Sequence, residues 1–70
     1  MKNHLRVLRA EFNLSQAELA DRVGVARQTI IALEAGKYAP SLPLAFKLSM
    51  VFDKPVEAVF IPESSDSSDG

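Results

Sequence analysis

Apolar side chains recur with a helical period in five separate stretches of the chain. Over residues 2–12, Leu5, Leu8 and Phe12 fall three or four positions apart and make one face. Asn13-Leu14 breaks that pattern. The next stretch opens on Ser15-Gln16-Ala17-Glu18, a capping box: the Ser15 hydroxyl and the Glu18 carboxylate each accept from the other residue's backbone N–H. Leu14 and Leu19 flank it at the spacing of a hydrophobic staple. Leu19, Ala20 and Val23 point inward until Gly24, which bears no penalty for the left-handed backbone that ends a helix. Residues 24–26 alone separate this helix from a third, residues 27–35, with Ile30 and Leu33 inward and Gly36 closing it. A fourth helix starts at Leu42 or Pro43 and runs to Phe52, capped by Ser41. Pro43 stands in its first turn, where a missing N–H costs nothing. Leu44, Ala45, Leu48, Val51 and Phe52 supply its buried side. A short fifth turn over residues 55–60 adds Val56, Val59 and Phe60. No repeat, linker or sustained strand alternation interrupts the series, so the pattern predicts an all-α fold with short connections.

Length and composition narrow this further. Seventy residues make one domain whose single core is marginal, so caps, tight turns or a partner subunit matter. There is no cysteine to staple the fold or hold a metal, and the lone His4 has no ligand partner in the sequence. Apolar residues make up 47% of the chain, yet no run approaches the roughly 18 residues of a membrane span. No signal-peptide pattern opens it either, and a cytoplasmic location is expected. No cofactor is called for.

The net charge of −1 hides an uneven distribution. Glu63, Asp66 and Asp69 crowd into a terminal serine-rich stretch; without them eight Lys and Arg face six carboxylates, a net +2. Residues 1–61 are therefore expected to form the folded domain. Residues 62–70 read as a disordered acidic tail, either an inert solubilising end or one that tunes DNA affinity by repulsion.

Two short helices joined by a three-residue, glycine-containing turn cross steeply, and the second can then enter a major groove about 12 Å wide. Each steric demand of such a helix-turn-helix is met in register: small Ala20 at the crossing, Gly24 in the turn, and Val25, Ile30 and Leu33 in the seam. The sequence also resembles the phage Cro and repressor type of helix-turn-helix regulators. The resemblance rests on the run of residues 14–25, Leu-Ser-Gln-Ala-Glu-Leu-Ala-Asp-Arg-Val-Gly-Val. Thr29-Ile30, Glu34 and Gly36-Lys37-Tyr38 extend it, as do Pro40-Ser41-Leu42 and Ala45-Phe46-Lys47-Leu48. It covers roughly residues 2–60 and is closest to short stand-alone members. It implies a compact five-helix lambda-repressor-like domain with the motif at helices 2 and 3. It also implies a dimer on double-stranded DNA and recognition by helix 3.

On that reading Gln28 pairs with adenine N6 and N7, and Arg27 reaches guanine O6 and N7 or a phosphate. A cation in a first helical turn works against the helix dipole, which makes more sense if Arg27 meets an anion. Thr29 offers a hydroxyl to a phosphate or a methyl to thymine. Gln16 starts the second helix, where free amides favour a phosphate oxygen and where its counterpart in the family contacts the backbone. Lys37 and Tyr38 in the following loop suit phosphate. Residues at the positions of Arg9 and Glu34 form an internal ion pair in the family, which implies a structural role for both here.

Ala26 stands where a capping serine is common, and Ile31, Ala32 and Ala35 where polar residues often sit. Ile31 thus reads as an exposed apolar side chain that presses on a thymine methyl, joins a protein contact, or leaves the site reading DNA loosely. With one His, no Cys, no glycine-rich phosphate loop and no cleft of carboxylates, catalysis is not expected. The rival reading is a protein-interaction module of the same fold, such as an antitoxin or accessory factor. Because one short helix spans few base pairs, a regulator of this size is expected to pair as a homodimer. Phe52 and residues 56–61 would form the dimer surface, with Phe52 and Val59 alternatively in the core. Occlusion of a promoter, hence repression, or contact with polymerase would be its mode of action.

Overall fold

Five helices and two short strands follow one another as β1 (Lys2–Asn3), α1 (Leu5–Glu11), α2 (Gln16–Val23), α3 (Arg27–Glu34), α4 (Leu42–Phe52), α5 (Val56–Val59) and β2 (Phe60–Ile61) in the computed structural model, which describes residues 2–61. The acidic stretch expected at 62–70 lies outside the described residues.

The sequence signals for the helix starts act locally. Ser15 and Glu18 form the capping box, with Glu18 N donating to Ser15 Oγ at 3.0 Å and Ser15 N to Glu18 Oε1 at 2.8 Å. Ser41 Oγ accepts from Leu44 N at the head of α4, whose second residue is Pro43. The first four helices end on one device. At Asn13, Gly24, Gly36 and Asp53 the backbone turns left-handed, with φ of 56°, 73°, 75° and 53°. Each time, the next residue's amide reaches back to a carbonyl five positions earlier: Leu14 to Arg9, Val25 to Ala20, Lys37 to Ala32 and Lys54 to Ser49. This closure satisfies carbonyls that a helix end otherwise leaves bare.

Two boundaries differ from the sequence reading. The first helix starts at Leu5 rather than at residue 2, because β1 pairs antiparallel with β2, Lys2 opposite Ile61 and Asn3 opposite Phe60. His4 N extends the pairing to Val59 O at 2.8 Å, and Asn3 Oδ1 accepts from Leu5 N. The last helix begins at Val56, after Pro55, and stops at Val59, because Phe60 swings to an extended backbone to make that ladder. A two-residue strand is too short to show a period of two, so the alternation carries no trace of it.

The core draws on every helix, with Leu5, Leu19, Ile30, Leu33, Leu48 and Val59 fully shielded. Phe52 and Val59 belong to it, the second of the two places open to them, and Phe60 joins them there instead of forming an outer dimer surface. Phe12, expected inward, is 44% exposed and sets one ring edge against Phe52, centroids 5.3 Å apart at 76°. Val51 and Val56 are half-buried at the margin. Among the described residues no helix is long and apolar enough to cross a membrane, and no group of His, Cys, Asp and Glu could hold a metal ion.

Candidate nucleic-acid interface

The site is built from the turn outward. Gly24 takes φ 73° and Val25 packs against the core, so residues 24–26 turn the chain sharply between α2 and α3. Ala26 is extended, with no side-chain oxygen to cap α3. At that start Thr29 N donates to Ala26 O at 3.0 Å. Arg27 and Gln28 therefore open α3 exposed, and neither side chain has a partner among the described residues.

Away from the core, α3 presents Gln28, Ile31, Ala32 and Ala35, spaced i, i+3, i+4 and i+7. Gln28 and Ala35 are exposed. Ile31 and Ala32 are half-buried, which corrects the expectation of an exposed Ile31: the fold shields part of its side chain from solvent. Thr29 is likewise half-buried, on the flank. Gln28 is thus the one long polar side chain on a face otherwise kept low by alanines.

The far end of α3 is fixed by charge. The Arg9 guanidinium grips the Glu34 carboxylate with two parallel bonds, Nε to Oε2 at 2.5 Å and Nη2 to Oε1 at 3.0 Å. Their side chains are 16% and 2% exposed. Arg9 Nη1 also donates to Leu14 O, at 3.1 Å, across the turn between α1 and α2. Gln16 Nε2 adds a third donor to Glu34, at 3.1 Å to Oε1. Burial pushes the Glu34 carboxyl upward, but the hydrogen bonds from Arg9 and Gln16 and the charges of Arg9 and Arg6 outweigh it and hold it below the ordinary glutamate range. The same bond to Glu34 raises Arg9. One carboxylate so ties α1, the start of α2 and the end of α3 together. The part taken by Gln16 has no sequence signal, because only the fold brings it next to a residue 18 positions away.

Beyond α3, Gly36 donates to Leu33 O and Lys37 N to Ala32 O, projecting the exposed Lys37 and the 42% exposed Tyr38 from the same end of the motif. A further tether, Asn3 Nδ2 to Leu33 O at 2.7 Å, joins the terminal ladder to α3.

A helix-turn-helix family model matches residues 5–59. The chain belongs to this family. An uncharacterized HTH-type transcriptional regulator of Methanocaldococcus jannaschii is 53% identical over 66 residues, covering 94% of this chain and all of its own. One from Bacillus subtilis is 50% identical over 60 residues, 86% of this chain and 91% of its own. The transcriptional repressor RstR of the cryptic phage CTXphi, from Vibrio cholerae, is 34% identical over 65 residues, 93% of this chain and 58% of its own. These are DNA-binding transcriptional regulators by family, and the family match takes in all five helices of this chain.

Proposed function

We propose that the protein is a sequence-specific regulator that lays α3 in the major groove of double-stranded DNA and acts as a repressor, in the cytoplasm and as a homodimer. The observation that carries this is the contrast between the two ends of α3. Its first turn offers Arg27 and Gln28 exposed and uncommitted, while its last turn is locked to two other helices through Glu34. A helix whose backbone is fixed at one end, and whose donors and acceptors are unspent at the other, suits base reading, because only the side chains have still to be ordered on binding.

Gln28 reads adenine, and Arg27 reads guanine or holds a phosphate. Ala32 and Ala35 let the helix lie close to the base edges, with Ile31 against a thymine methyl. Gln16 spends one amide hydrogen on Glu34 and keeps a second for a phosphate oxygen, beside the open amides of its own helix start. Thr29, Lys37 and Tyr38 flank the backbone and position the helix. Repression is the mode that the name of the Vibrio cholerae relative supports, and a domain of this size achieves it by occluding a promoter.

The test is selection of bound duplexes from a random library at physiological salt, with Gln28→Ala in parallel. The expected outcome is a two-fold symmetric site in which one position relaxes in the variant, with affinity falling steeply as salt rises. No enrichment for either protein overturns the reading. It would favour a protein-interaction module of the same fold, such as an antitoxin or accessory factor.

A further inference from the structure

One cation at the junction of the motif has no internal use. Arg6 lies one turn before Arg9 on α1, so the two share a face of that helix. Its charge acts on Glu34, the carboxylate to which Arg9 and Gln16 are bonded, so Arg6 belongs to the same meeting point of α1, α2 and α3. Yet it makes no bond to that carboxylate. Glu34 Oε1 already accepts from Arg9 and from Gln16, and Oε2 accepts from Arg9. The Glu34 side chain is only 2% exposed, whereas Arg6 stands in solvent. No other carboxylate is placed to serve it along α1, because Lys2, Asn3, Arg9 and Ala10 occupy the positions three and four residues away. Among the described residues Arg6 has neither a hydrogen bond nor an ion pair. Two arginines therefore share one buried carboxylate, and the second leaves a surplus positive charge on the exposed side. Like charges one turn apart work against a helix, so the fold gains nothing from Arg6 and an outside anion would offset the repulsion.

We propose that Arg6 is a further phosphate-binding residue, whose guanidinium takes a backbone oxygen of the duplex beside the one that Gln16 takes, so that α1 joins α2 and α3 in gripping DNA. The inference rests on the reading of α3 in the major groove and adds a residue from a third helix to it. A guanidinium suits the task, because its planar fork of donors matches the oxygens of a phosphate and it stays charged at any pH the fold survives. The neighbouring clamp fixes the place from which it reaches: Arg9, on the same face of α1, is held to Glu34 and to Leu14 O. A contact of this kind sets the position of the protein on the duplex and carries no sequence information. Its loss is therefore uniform across sequences, which separates it from the proposed role of Gln28.

Fluorescence anisotropy of the full chain on two labelled duplexes tests this, one carrying the site that the selection yields and one of unrelated sequence, in about 50–200 mM KCl. Wild type, Arg6→Gln and Arg6→Lys are compared with Lys47→Gln, which removes the same charge from an exposed position on α4. Each phosphate contact contributes about 0.9 to the slope of log K against log salt. Arg6→Gln should flatten the slope by about 0.9 per bound copy and weaken both duplexes equally, by about eightfold per copy near 0.1 M salt. Arg6→Lys should keep most of the slope, since it keeps the charge. Lys47→Gln should match wild type, and thermal melting should be unchanged throughout. An Arg6→Gln chain that fails to fold would assign Arg6 to the scaffold and overturn the inference. So would a slope equal to wild type, an equal flattening in Lys47→Gln, or a loss confined to the selected duplex. A slope flattened on the unrelated duplex, found together with no enrichment in the selection, would keep Arg6 as a phosphate ligand and remove the sequence-specific regulator.

Discussion

At the scale of single residues, the left-handed turns sort glycine from its substitutes. A Cβ at Gly24 would meet nothing within 4 Å, so Gly24→Ala has no steric cost and isolates the conformational one. Forcing φ 73° on alanine costs about 1–2 kcal/mol, and the stiffer unfolded chain returns about 0.4–1. The expected net loss is about 1 kcal/mol. Asn13, at φ 56°, is of the type that tolerates this region, so Asn13→Gly should change stability by less than about 0.5 kcal/mol in either direction. Urea unfolding of both variants checks the pair, and an equal effect at the two sites would contradict it. Gly24 and Gly36 were legible as helix stops because glycine is the usual sign. Asp53 was not, because aspartate takes the left-handed turn rarely enough that nothing in the sequence marks it.

At the scale of elements, what the sequence made legible depended on how local each boundary is. The starts of α2 and α4 are written within four residues by Ser15 with Glu18 and by Ser41, and the structure places both helices where those signals stand. The start of α1 and the end of α5 are decided by the pairing of Asn3 with Phe60, a contact between opposite ends of the chain that no window of neighbouring residues contains. The site divides in the same way. That α3 opens at Arg27 follows from its pattern, whereas the tie of Gln16 to Glu34 exists only after folding. Of the motif's two helices α3 is also the one without a capping side chain, since Ala26 supplies none. Ala26→Ser should stabilise the fold by about 1 kcal/mol, which for a domain of this size raises Tm by about 4–8 °C. Calorimetry checks this, and an unchanged Tm would mean that the serine hydroxyl does not reach the first-turn amides of α3. Asn3→Ala should act oppositely, leaving Leu33 O without its side-chain donor. Because Leu33 O keeps the Gly36 amide, a cost of about 0.5–1.5 kcal/mol is expected and would appear in the same experiment.

For the molecule as a whole, these tethers make stability depend on pH through a small number of carboxylates. Glu34 is held below the ordinary range when folded, by the hydrogen bonds and charges that outweigh its burial. Glu18 is held low by the Ser15 amide and hydroxyl. A carboxylate depressed in the folded state favours folding above its unfolded value, about 4.3, and that stabilisation disappears as pH falls through the folded value. Stability should therefore be level near neutrality and decline as the pH drops below about 4.5. Glu34→Gln separates the contributions. It leaves Arg9 partly buried with no anion, at a cost near the lower end of about 3–5 kcal/mol because the guanidinium keeps some contact with water. That is a large share of the roughly 5–15 kcal/mol a domain possesses. The variant should be much weaker at pH 7 yet lose less than wild type on acidification, so the two curves converge. Glu18→Gln should flatten the acid limb while leaving the Arg9 clamp intact. Urea midpoints from pH 7 to pH 3 for the three proteins decide the matter. Wild-type and Glu34→Gln curves that fall in parallel would show that the charge on Glu34 is not what binds α1, α2 and α3 together. Convergence would identify the charge on this one carboxylate as what joins α1, α2 and α3.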